Sequence, residues 1–266
     1  MDRFTLPPDI IEPANPNKPI ELYVFVDPLC HDCWELQPMI RKLQIEYGKY
    51  FTLRYIIRTK LRLIESEQPE EHEEFCHPLL PSIAIKAAEY QGKKAGNLFL
   101  SKIQEAFFLE HKNVTKLGCL LSVAEKSRLD MEEFVQDLNS PEVLKSFQCD
   151  LYISREMEVD IVPSIVYFNE RIEDEGLKVS GSYPYAVYEK ILEELIGSEL
   201  VRNEPPELDV LLTQYDSLAT KEIAAIYQIS EKAAESELKK RMLQQNIECE
   251  AFKNTKLWRT KKFKTT

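Results

Sequence analysis

The sequence predicts an α/β protein with a large helical insertion in its sheet and a small second domain at its C-terminal end. Three observations carry that prediction. Two β-rich runs, Ile20 to Val26 (IELYVFV) and Phe51 to Ile57 (FTLRYII), flank one amphipathic helix. Strand character is then absent over 60–158 and returns at Ser164 to Phe168 (SIVYF). A Pro205-Pro206 pair precedes a last stretch with its own capped helices.

Residues 1–18 are Pro-rich and read as an N-terminal arm. The first run has a fully apolar centre, the mark of a strand buried on both faces. Asp27-Pro28 stops it. A helix follows from Cys30, with Leu36, Ile40, Leu43 and Tyr47 at i, i+4, i+7 and i+11 in one apolar stripe, and Gly48 ends it. Strand, helix, strand in succession is a βαβ unit, hence parallel pairing with a right-handed crossover. This first domain is expected over 19–200, with helices of the 60–158 insertion at about 81–91, 97–110, 115–128, 130–138 and 141–158. Asp130 and Ser140 read as N-caps, the second with Pro141 at the first helical position. Leu177 to Val179 is a further strand before Gly181, and Val187, Ile191 and Leu195 mark a helix over about 184–196.

A small domain is expected over 207–266. Thr220 should cap a helix carrying Ile223, Ala224 and Tyr227. Ser230 should cap a longer one carrying Ala234, Leu238 and Met242. Strand-like pieces near 247–252 and 256–260 follow. Helix, turn, helix, hairpin resembles a winged helix-turn-helix.

Composition narrows the function. The chain has 266 residues and a formal charge of −11, which argues against a general nucleic-acid binder. Only 7 glycines are present, and no glycine-rich dinucleotide or phosphate loop and no Gly-x-Ser-x-Gly elbow occurs. Dinucleotide oxidoreductases, P-loop ATPases and serine hydrolases are thereby disfavoured. No apolar run reaches the roughly 18 residues of a membrane helix, and MDRFTLPPDIIEP has no secretory core. The chain reads as cytoplasmic, with no membrane partner. In a reducing compartment its 6 cysteines should be thiols, and a close pair points to redox or metal chemistry.

That pair is Cys30-His31-Asp32-Cys33, directly after the first strand and opening the first helix. Two intervening residues let the sulfurs meet across one helical turn, with the first thiol at the positive end of the helix dipole. Pro38 should kink the helix by removing a backbone donor. Val162-Pro163 precedes the returning strand, where a cis proline would face the thiols. Together these residues resemble a thioredoxin fold of the DsbA-like type. The resemblance implies Cys30 and Cys33 as a redox pair with Pro163 beside it.

Other residues pull against redox work. Asp27, Asp32 and Glu35 surround the pair, and carboxylates oppose a thiolate. The run Val159-Asp160-Ile161-Val162-Pro163 lacks the family's glycine ahead of the valine and proline. A relic pair on a binding scaffold is the competing reading. Zinc is a third, from Cys30, His31, Cys33, His72, Cys76 and His77, since His72 and Cys76 lie four apart. Cys119 reads as core, and Cys149 and Cys249 as buried inert thiols.

Two charge runs stand out. Glu65 to Glu74 holds six acids and no base, a solvated loop or a dock for a basic partner. Lys253 to Thr266 holds six bases and no acid, with Trp258 and Phe263 interleaved. A recognition helix meets DNA by its N-terminal half, here Glu231 to Glu237 with three carboxylates, so DNA binding is not expected.

The segments DPLCHDCW and VPSIVYF, with a DsbA-like domain followed by a short helical one, resemble the YjbH (SpxH) family. These are cytosolic adapters of low-GC Gram-positive bacteria. What the resemblance implies is a non-enzymatic adapter that binds the transcription regulator Spx and promotes its degradation by the ClpXP protease. No resident cofactor is implied. The alternatives are a cytosolic thiol-disulfide oxidoreductase using Cys30 and Cys33, and a zinc- or redox-sensing binding protein.

Overall fold

The computed structural model describes residues 18–59, 77–169, 176–253 and 255–261. The described residues of Met1–Gln37 and Gly48–Leu200 form one compact unit, and those of Pro38–Tyr47 and Val201–Thr266 a second.

The first unit is built on a four-stranded sheet of order β2-β1-β3-β4. Its strands are β1 (Ile20–Val26), β2 (Phe51–Ile57), β3 (Ser164–Asn169) and β4 (Leu177–Ser180). β1 and β2 pair in parallel, as the βαβ reading requires, with Val24 opposite Tyr55. β1 pairs antiparallel with β3, and β3 with β4. Ile20, Leu22, Val24, Phe25 and Val26 are all buried, so β1 is the two-faced central strand its sequence predicts. Phe25, Ile56, Val166, Ile153 and Val159 form one cluster of the core.

Between β2 and β3 stand α2 (Leu80–Tyr90), α3 (Lys93–Gln104), a π-helical turn (Glu105–Leu109), α4 (Leu117–Lys126), α5 (Met131–Leu138) and α6 (Pro141–Glu156). The expected caps hold. Asp130 accepts from the amides of Glu132 and Glu133, and Ser140 from that of Val143. The helix expected to begin near residue 97 starts earlier, at Lys93, because Gly92 takes a positive φ of 113° and releases the chain into a new helix. It does not continue as an α-helix to 110: the backbone widens to π over Glu105–Leu109. α7 (Tyr185–Ile196) closes the unit and ends at Gly197 in the left-handed conformation.

Inside this unit Asp150 is fully buried and gathers three donors around it. It accepts from Ile57 N at 2.9 Å and Lys86 Nζ at 3.0 Å, and Arg54 Nη2 lies 3.8 Å away. Lys86 also pairs with Glu89. Asp150 thus ties α6 to α2 and caps an amide at the end of β2. Burial works against the Lys86 charge, but Asp150 and Glu89 outweigh it and raise its pKa.

The second unit has its own apolar centre in Leu211, Leu212, Leu218, Ile223, Leu238, Ile247 and Trp258. Its elements are α8 (Leu208–Tyr215), β5 (Leu218–Ala219), α9 (Thr220–Tyr227), α10 (Glu231–Leu243), β6 (Ile247–Ala251) and β7 (Lys256–Thr260). The sheet order is β5-β7-β6, antiparallel throughout. Ser230 caps α10 as expected, accepting from Ala233 N. Thr220 does not cap α9. It is the first helical residue, and its hydroxyl instead accepts from Trp258 Nε1 at 2.8 Å. The Glu222 carboxylate reaches back to the amide of Ala219 at 2.7 Å in the cap's place. α8 and β5 went unread ahead of Thr220: Leu208, Leu211 and Leu212 do fall at i, i+3 and i+4, but α8 is only eight residues long and β5 only two.

The helix α1 (His31–Tyr47) contributes to both units: its first turns to the one, Pro38–Tyr47 to the other. Within the second unit Ile45 packs on the apolar centre, Arg41 Nη1 lies 2.9 Å from Glu222 Oε1, and Glu46 pairs with Arg202.

Candidate functional site

β1 ends at Asp27-Pro28 and delivers Cys30 to the start of α1. Asp27 Oδ1 accepts from Leu29 N at 2.9 Å, and the Asp27 carbonyl from Cys30 N at 3.1 Å. These bonds set the turn that presents the first thiol. Cys30 is half-buried, Cys33 is buried, and both are free thiols. Val162-Pro163 is a cis peptide, as the sequence predicts, and Cys30 Sγ lies 3.9 Å from the Val162 carbonyl oxygen.

The neighbouring Asp32 charge opposes the Cys30 thiolate, as expected, but hydrogen bonds outweigh it. The Cys30 pKa is lowered to about 6, first by a hydrogen bond from the Cys33 thiol, and then, against the opposing effect of burial, by the amides of Cys33 and Asp32. The Asp32 charge acts the other way and is the smallest of these effects. Glu35 points at His31 Nδ1, 3.8 Å away. Cys33 is pushed up, first by its hydrogen bond to Cys30 and then by burial. The pair therefore holds one shared proton on the inner sulfur and leaves the outer one as the nucleophile.

The zinc expectation does not assemble among the described residues. His72 and Cys76 lie outside them. Cys30, His31, Cys33 and His77 do not converge as ligands; the group that does is His31, Asp32 and Glu35, all exposed. The His77 amide donates to the Thr115 carbonyl, and its Nδ1 accepts from Leu79 N, so it serves the turn into α2. The acidic run Glu65 to Glu74 also lies outside the described residues. Two other thiols depart from expectation. Cys119 and Cys249 are half-buried, because α4 and the edge strand β6 turn them toward the rim of the core; Cys149 is buried as expected.

Sequence reading missed the aromatic neighbours. Phe108, from the π-helical turn, stacks on Trp34 with centroids 4.9 Å apart and planes 10° off parallel. His31 meets both rings edge-on. The signal was Phe107-Phe108 in a helical stretch: adjacent residues cannot both face a core at 100° per residue.

A family model described as Thioredoxin matches residues 23–190. The ClpXP adapter protein SpxH of Bacillus subtilis (strain 168) is 39% identical over 272 residues, covering 93% of this chain and 91% of that protein. The SpxH of Bacillus licheniformis is 40% identical over 92% and 90% of the two chains. The chain belongs to the SpxH family. Among solved structures, the oxidoreductase DsbA from Xylella fastidiosa is 15% identical, with a TM-score of 0.51 over 69% of this chain and 89% of that one. A variant of alpha-DsbA1 from Wolbachia pipientis gives 0.52 at 14% identity over the same shares. These establish for this family member a DsbA-like thioredoxin fold with a helical insertion. Among its described residues no helix is long and apolar enough to cross a membrane.

Proposed function

We propose that this protein is a cytoplasmic adapter that binds the transcription regulator Spx and promotes its degradation by the ClpXP protease. The observation that carries this reading is the 39% identity to a ClpXP adapter across 93% of the chain, which reaches well past the DsbA-like part. The DsbA neighbours reach only 69% of it. An adapter needs no catalytic group; it raises the local concentration of its client at the protease. The sheet margins at β4 and β2 are where a client strand could add by backbone pairing. We read the second unit as winged-helix-like from its element order and its β5-β7-β6 sheet. Its helix α10 exposes Glu231 and Glu237, which favours a protein contact over nucleic acid.

The test is ClpXP turnover of purified Spx with and without this protein. Faster turnover that survives Cys30→Ser/Cys33→Ser is expected; unchanged turnover would end the adapter reading. A second reading, thiol-disulfide oxidoreductase, is favoured by the lowered pKa of Cys30. It predicts insulin reduction that Cys30→Ser abolishes, and an inert dithiol removes it.

A further inference from the structure

Aromatic rings gather on the helix turn that carries Cys30. The Trp34 amide donates to the Cys30 carbonyl at 3.1 Å, so the two residues sit one turn apart on the same face of the helix start. Phe108 lies parallel on Trp34 at 4.9 Å, and His31 stands edge-on to the two at 5.9 and 5.7 Å. Phe107 turns against Phe108 at 4.9 Å. Trp34, Phe107 and Phe108 are half-buried and His31 is exposed, so the cluster keeps an open margin. Cys33 is 1% exposed, which leaves Cys30 as the reachable sulfur of the pair. The charged side chains on this turn are Asp32 and Glu35, both exposed and both repelling anions.

We infer that Cys30 is a modification site for neutral, planar carbon electrophiles, quinones above all, which the rings of Trp34, Phe108 and His31 seat beside its sulfur. The thiolate chemistry is an addition. Cys30 Sγ attacks the ring carbon β to a quinone carbonyl, and a C–S bond forms. The electron pair of the C=C bond moves to the carbonyl oxygen, which takes a proton from water. The proton on the attacked carbon then moves, through water, to the second carbonyl oxygen, which restores aromaticity and leaves a hydroquinone thioether. The quinone is the oxidised reactant and ends reduced, so no other oxidant enters. A thioether offers Cys33 no sulfur leaving group, so the adduct persists and the Cys30–Cys33 disulfide is blocked. Two of the other described thiols, Cys149 and Cys249, are weaker competitors, because burial raises their pKa. This inference does not rest on the adapter reading, and its test contains neither Spx nor ClpXP.

The experiment treats reduced full-length protein with equimolar 1,4-naphthoquinone, and separately with iodoacetamide, which is small and not planar. Each rate is divided by that of the same reagent with N-acetylcysteine. Peptide mass spectrometry should place the quinone adduct on Cys30. Phe108→Leu and Trp34→Leu should each lower the relative naphthoquinone rate roughly fivefold, the scale of one lost stacking contact. Their iodoacetamide rates should stay within roughly twofold of the parent, which also reports an intact site. A sulfonated naphthoquinone should gain less over N-acetylcysteine than the neutral one. An adduct on another cysteine, or ring variants that leave the naphthoquinone-to-iodoacetamide ratio unchanged, would overturn the inference.

Discussion

Arg41 Nη1 stands 2.9 Å from Glu222 Oε1, in an ion pair between residues 181 positions apart whose side chains are 11% and 6% exposed. Glu222 spends its other oxygen on the Ala219 amide, and the Arg41 guanidinium lies 5.5 Å from the centre of the Tyr215 ring. One carboxylate thus caps α9 and holds a segment of α1 in the second unit.

Arg41→Met should destabilise the second unit by about 3 kcal/mol, because it strands a buried carboxylate. Arg41→Met/Glu222→Gln should recover part of that loss, since an amide keeps the Ala219 bond without a charge. Denaturant unfolding of the full chain checks both. A double variant worse than the single one would contradict the ion-pair account.

Lys86→Met should cost about 3 kcal/mol in the first unit by the same logic at Asp150, which keeps only Ile57 N and the more distant Arg54. Lys86→Met/Asp150→Asn should be milder than Lys86→Met alone. Thermal unfolding of the three proteins measures it.

The Cys30 thiolate should titrate about 6, well below a free thiol. The sign follows from the acid form being neutral: as pH rises through about 6 the thiolate fraction grows, so alkylation accelerates and levels off by about pH 8. Cys33→Ala removes the leading cause and should move the midpoint up. A midpoint that stays in place would assign the lowering to the backbone amides instead. Ultraviolet thiolate absorbance against pH reads both proteins.

Thr220→Val should cost about 1–2 kcal/mol, because it leaves the Nε1 of Trp258, a residue 1% exposed, without its acceptor. Thr220→Ser keeps the hydroxyl and should be close to neutral. If the two substitutions cost the same in denaturant unfolding, the bond carries no weight.

Much of the first unit was legible because its signals are local. The apolar centre of IELYVFV, the caps at Asp130 and Ser140 and the Cys-x-x-Cys at a strand-to-helix turn each act over a few residues. The misplaced elements had weak or conflicting local signals. Thr220 has a capping side chain, yet a tryptophan 38 positions away takes its hydroxyl. The start of α3 was hidden because Gly92-Lys93-Lys94 reads as a turn, and the π-helical turn because its one signal, the adjacent Phe107 and Phe108, marks a conflict of faces without saying how the backbone resolves it.

The sequence by itself determined that the chain begins its sheet with a parallel βαβ unit, where the two sulfurs sit, which proline faces them, and which family the whole resembles. The first three follow from periodicity, backbone chemistry or motif spacing, and such rules operate at short range; the family rests on the likeness of whole segments. Only the tertiary structure decided that Cys30 is the favoured thiolate despite three nearby carboxylates, that Phe108 comes to lie on Trp34, and that Pro38–Tyr47 joins the C-terminal unit. Those outcomes depend on which amides, rings and charges from distant segments arrive within a few ångströms, and local spacing carries no record of such meetings.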